Sequence, residues 1–126
     1  MPQDARTRAY SSSSEAALQS ISNLQLAIVK IERRVKEIEW QVTVHNATAK
    51  VPRKELAEAK DALAQLCGTL DKLQFNGVDG IITADLVSGK DHVRDQRKQL
   101  NRQCETIRTT MLSLHEQLTA HIAASS

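Results

Sequence analysis

The residues with chemistry to offer in this 126-residue chain are four histidines, two cysteines and a set of paired carboxylates. Their spacing argues against catalysis. His115 and His121 are six apart, which on a helix turns them to opposed faces, whereas a zinc pair needs i, i+4 placement. His45 and His92 stand alone. Cys67 and Cys104 lie far apart with no CxxC spacing, and both fall on or beside apolar stripes. Free buried thiols acting as small hydrophobes are the preferred reading, a disulfide the second. The serine run Ser11 to Ser14 has no base beside it to activate a nucleophile. Gly77, Gly80 and Gly89 do not follow a strand, so no phosphate-cradling loop is expected. Paired carboxylates occur only on faces that read as solvated. No catalytic residue, metal or cofactor is expected, and the chain is read as a non-enzyme.

What the polar residues do offer is a patterned surface. Asp61 and Asp71 lie ten residues apart and off the apolar stripe of their segment. At 100° per residue they stand about 80° apart around a helix, broadly on one face. Further on, Arg94, Lys98, Asn101, Glu105 and Arg108 recur at three and four, with Arg97 beside them. Pattern alone favours an ordinary solubilising surface whose ion pairs are worth ~0–1 kcal/mol each. The formal net charge is +2, with acids and bases interspersed. That argues against a nucleic-acid or membrane surface. No apolar stretch approaches membrane-spanning length, and the polar start does not read as a signal peptide, so a cytosolic or nuclear setting is expected.

The elements that must position these residues are helices. Hydrophobic residues make up 40% of the chain, yet aromatics only 2%, with Tyr10, Trp40 and Phe75 the whole set. A core without rings must come from Leu, Ile, Val and Ala, which suits helix–helix seams. Residues 1–13 read as a disordered tail and 14–124 as one three-helix domain. Ser12 has capping-box spacing to Glu15, and Ser14 is an alternative cap. The first stripe is Ile21, Leu24, Ile28, Ile31, Val35, Ile38 and Val42, alternating three and four. Pro52 closes the connection and suits the first turn of the second helix. There Leu56, Ala59, Leu63, Leu66, Leu70 and Leu73 repeat the pattern. Gly68 sits away from this stripe, either tolerated or letting a partner approach. Asn76-Gly77 is expected to end the helix in left-handed fashion.

Residues 77–89 are the least regular, with Ile81, Ile82, Leu86 and Val87 suggesting a short turn over the bundle end, capped by Thr83. The third helix runs from about Lys90 to about Ala123. Its stripe is Val93, Arg97, Leu100, Cys104, Ile107, Met111, Leu114, Leu118 and His121 or Ile122. Helices of about 50, 36 and 50 Å at 1.5 Å per residue give an all-α, antiparallel three-helix bundle. The longer first and third helices would overhang the second and leave stripe ends able to pair with another copy.

At two segments the chain resembles the BAG domain, the three-helix module of the athanogene co-chaperones. The run Asp61-Ala-Leu-Ala-Gln-Leu-Cys-Gly-Thr-Leu-Asp71-Lys-Leu resembles its second helix, with two acids at the family's separation. The run Val93-Arg-Asp-Gln-Arg97-Lys98-Gln-Leu-Asn-Arg-Gln-Cys-Glu105-Thr-Ile107 resembles the start of its third helix. The likeness covers Pro52 to about Leu118. It implies a nucleotide exchange factor, one that binds the nucleotide-binding domain of 70 kDa heat-shock chaperones and speeds ADP release. Asp61 and Asp71 would be its acidic contacts, and Arg97 and Lys98 its basic ones. Glu105 stands where the family usually has a glutamine, removing an amide donor and adding a negative charge. The connection between the second and third helices is also longer than usual. The competing expectation is a coiled-coil oligomerisation or scaffold module, in which the stripe ends matter and these polar residues do not.

Overall fold

An apolar residue every three or four positions makes a stripe that has no use for water, and each of the three stripes forms one helix. In the computed structural model, which describes residues 12–78, 80–81 and 89–125, these are α1 (Ser12–Thr48), α2 (Arg53–Lys72) and α3 (Lys90–Ala124). The chain is an all-α three-helix bundle. α1 and α3 run parallel and α2 runs against both; α3 packs more extensively on each than they do on each other.

Most of the core comes from the expected stripes, with Val78 and Ile81 added from beyond them. Ile21, Ile28, Ile31, Val35, Ile38 and Val42 of α1 are buried, as are Leu56, Ala59, Leu63 and Leu70 of α2. From α3 come Val93, Leu100, Cys104, Ile107, Met111, Leu114 and Leu118. Each Leu, Ile, Val or Met side chain so buried stabilises by about 1.5–3 kcal/mol relative to exposure. Leu24, Leu66, Leu73 and Ile122 pack at the edge, half-buried. Both cysteines are free thiols, Cys104 fully buried and Cys67 half-buried with its Sγ–H donating to the Met111 Sδ at 3.3 Å.

Several local expectations are corrected. α1 is described from Ser12, and Ser14 is a fully buried helical residue and not the cap. Pro52 precedes the first turn of α2, with extended backbone (φ −59°, ψ 145°), and its carbonyl accepts the Leu56 N–H. α1 ends instead on Ala49 in the left-handed region, φ 52°.

Asn76-Gly77 does not stop α2. The helix widens into a six-residue π-helical segment, Leu73–Val78. The stripe explains why. After Leu73 the next inward position in an α-helix is 77, a glycine with nothing to bury. The wider turn hands that place to Val78, which is fully buried, and brings Gln74 inward as well. Gly77 lets α1 close in: a Cβ there would lie 2.5 Å from the Leu24 Cδ2. The left-handed glycine is Gly89, φ 75°, directly before α3. Even with this extension α2 ends with Gly77 beside Leu24, so the first turns of α1 still run past it. Ile21 and Val93 are buried at one end of the bundle and Val42 and Leu118 at the other, so the stripe ends offered for pairing with another copy are covered. The tail before Ser12 and the turn expected around Ile82, Thr83, Leu86 and Val87 lie outside the described residues.

Candidate protein-interaction face

Antiparallel packing of α2 on α3 makes their residue numbers run in opposite senses: Cys67 meets Met111, Asp71 meets Arg108, and Gln74 meets Glu105 and Asn101. This register gathers a polar knot at the seam. The Arg108 guanidinium donates to Asp71 Oδ1 and to Glu105 Oε1, both at 2.7 Å. Gln74 Nε2 donates to Glu105 Oε1 at 3.0 Å and to Asn101 Oδ1 at 3.3 Å. Gln74 is a buried polar residue, and its Oε1 has no hydrogen-bond partner among the described residues. The Phe75 ring lies near the knot, its centroid 5.9 Å from the Arg108 guanidinium carbon.

The charges act on one another. The amide of Gln74 and the guanidinium of Arg108 hold the Glu105 carboxyl below its ordinary range, although desolvation opposes them. Burial works against the charged form of Arg108, but its hydrogen bond to Asp71 and the charge of Glu105 outweigh it and push its pKa up. Burial, aided by the Asp71 carboxylate, pushes the Cys67 thiol up, with Arg108 acting the other way. Two carboxylates around one guanidinium leave the knot with a net negative charge.

Two exposed apolar side chains flank this knot. Phe75 is 61% exposed and Leu112, one turn beyond Arg108, 58% exposed. By register Gly68 falls opposite Leu112, and a Cβ added there would meet nothing within 4 Å. Both aromatic residues within the described helices, Trp40 and Phe75, point to solvent while the core has none.

The five sequence-derived site residues fare differently. Asp71 and Glu105 are brought together, though by way of Arg108. Arg97 is half-buried, and its Nη1 donates to the Ile81 carbonyl at 2.9 Å, tying the segment after α2 to α3. Asp61 and Lys98 are exposed on the flanks of the same face. Gln74, Phe75 and Leu112 were missed. Phe75 had a legible signal, as one of three aromatics and off the stripe; Gln74 had none, because the π turn that buries it is not written in the heptad.

Elsewhere His45 and His121, at the C-terminal ends of α1 and α3, stack edge to face with centroids 4.6 Å apart, and the His45 Nδ1 is buried without a hydrogen-bond partner among the described residues. His115 is exposed. Among the described residues no group of three or more His, Cys, Asp or Glu is placed to hold a metal, and no helix is long and apolar enough to cross a membrane. No known family model matches the chain, and no curated protein or solved structure is significantly similar to it.

Proposed function

We propose that this chain is a non-catalytic interaction domain that works through the α2–α3 face, and that its partner is the nucleotide-binding domain of a 70 kDa heat-shock chaperone, whose ADP release it speeds. The observation that carries the reading is the knot of Asp71, Arg108, Glu105 and Gln74 between the exposed Phe75 and Leu112. Interfaces draw their affinity from a few aromatic and arginine anchors in a partly desolvated setting. A carboxylate already fixed by an internal hydrogen bond loses little side-chain entropy when a partner's cation arrives. The resemblance of the two helical runs to the BAG domain supplies the class of partner. A rigid helix pair shifts a chaperone's open–closed balance only by its differential affinity for the open form.

The internal pairing changes the expected roles. Asp71 offers a partner what Arg108 leaves of it. Glu105 serves the knot, in place of the amide contact usual in the family. Arg97 holds the segment after α2, while Asp61 and Lys98 are exposed charges with no ion pair among the described residues. The test is release of labelled ADP from a 70 kDa heat-shock chaperone with and without the chain. The informative variants are Asp61→Lys and Lys98→Glu, both exposed and harmless to the core, beside Asp71→Ala and Arg97→Ala. Acceleration by the parent and its loss in Asp61→Lys and Lys98→Glu supports the reading. Absence of both acceleration and binding at micromolar concentrations removes it.

A further inference from the structure

α1 carries a second stripe, on the side turned away from the core. Leu26, Val29, Arg33, Lys36 and Trp40 follow one another at three, four, three and four, the spacing of a two-stranded helical seam. Leu26 is 65% and Trp40 68% exposed, Arg33 and Lys36 are exposed, and only Val29 is half-buried. Trp40 is the sole tryptophan of the chain. Of the acids beside the stripe, Glu37 is paired with Arg34 at 2.9 Å, Glu32 lies at 4.0 Å from Lys36, and Glu39 is exposed, so Arg33 is the central charge with no ion pair among the described residues. The stripe is therefore apolar at both ends and positive in the middle, over about 21 Å.

We propose that this outer face of α1 is a second docking surface and that its occupant is an acidic amphipathic helix of a protein partner. The order of the residues selects that occupant. A bilayer needs contiguous apolar side chains with cations at the margin, where they can snorkel. Here Arg33 and Lys36 sit at the centre and would be driven into the acyl region. A second copy would set Arg33 and Lys36 against their own kind. A helix with apolar residues meeting Leu26 and Trp40, and carboxylates meeting Arg33 and Lys36, satisfies every position. In a three-helix bundle the outer side of α1 lies opposite the α2–α3 groove, so both faces can be occupied at once. The domain thus has the geometry of a bridge between two partners. The inference does not depend on what binds the α2–α3 face.

Because Trp40 is the only tryptophan, its emission reads the surface directly. The full chain would be titrated with a synthetic three-heptad helical peptide bearing Leu at the seam ends and Glu at the seam centre, and with the same peptide bearing Lys for Glu. The expected result is a saturable blue shift with the Glu peptide alone. In Arg33→Glu/Lys36→Glu the preference reverses, with the Glu peptide weakened about tenfold or more. Circular dichroism would verify the helices, and Leu26→Glu gives an independent loss. No saturable response, an equal response to both peptides, or no reversal in the charge-swapped variant overturns the proposal. So does a blue shift seen only with phosphatidylserine–phosphatidylcholine vesicles, or only on concentrating the chain alone.

Discussion

Replacing Arg108 by Met keeps most of the side-chain stem and removes the charge that ties Asp71 to Glu105. The cost can be worked from exposure. The Arg108 side chain is 22% exposed and that of Asp71 is 49% exposed, so the pair sits at the wet end of the seam despite its 2.7 Å contact. Two unit charges at about 4 Å attract by about 1 kcal/mol in water and about 4 kcal/mol at an effective dielectric of 20. Ordering two long side chains and screening by salt take back most of this, leaving ~0.5–1 kcal/mol for such a pair. A double-mutant cycle of Arg108→Met and Asp71→Asn, read by urea unfolding, isolates that coupling. With a urea slope of about 1.5 kcal/mol/M, it appears as a midpoint displacement of about 0.3–0.7 M. Raising ionic strength from about 0.1 to 1 M shortens the screening length from about 10 to 3 Å, and the coupling should fall with it. The pH dependence has a definite sign. Glu105 is held below its ordinary carboxyl range by Gln74 and Arg108. Its contribution is complete above the unfolded value of about 4.3 and is lost as pH falls through the folded one. The difference between Arg108→Met and the parent should therefore narrow below about pH 4. A coupling of zero at both ionic strengths would refute the idea that the knot is a fixed, preorganised surface.

Ala49→Gly should stabilise the bundle by about 0.5–1 kcal/mol, because an L-residue at φ 52° carries a left-handed penalty that glycine escapes; an unchanged or lowered melting temperature would count against that account. Gly68→Ala should add about 1 kcal/mol, since it is an exposed mid-helix glycine with open space around its Cβ position. If the same variant also weakens chaperone binding, the glycine serves close approach by a partner; if binding is unchanged, it is merely tolerated. Cys67 should be alkylated more slowly than an open thiol at pH 7–8 and catch up only at higher pH, because burial and Asp71 raise its pKa. Cys104, fully buried, should react on the timescale of unfolding, and equal rates for the two by mass spectrometry would contradict the packing.

The stripes were legible because helix periodicity is a local property. Spacing of three and four assigns each residue to a face of its own helix, and burial of Ile28, Leu63 or Leu118 follows once three such faces meet. Arg97 stood out as the charged member of its stripe, and it does occupy a half-buried place. Even so, its partner, the carbonyl of Ile81, was out of reach, because a backbone group in a connection has no signature in side-chain pattern. The end of α2 was misread for a related reason: Asn-Gly favours a left-handed stop locally, but packing of Gly77 on Leu24 and burial of Val78 offset that preference.

The sequence alone thus determined the helical class, most of the core and the presence of a mixed-charge line on α3, and it favoured free thiols over a disulfide. Tertiary structure decided who meets whom. Periodicity fixes the direction in which a side chain leaves its helix, but not the height at which two helices interlock; that depends on how ridges seat in grooves along the whole seam and on the connections. A shift of one turn would keep every stripe buried, yet it would part Asp71 from Arg108, and a like shift between α1 and α3 would part His45 from His121. The charged knot, and the exposure of Phe75 and Leu112 around it, exist because α2 and α3 interlock in this register.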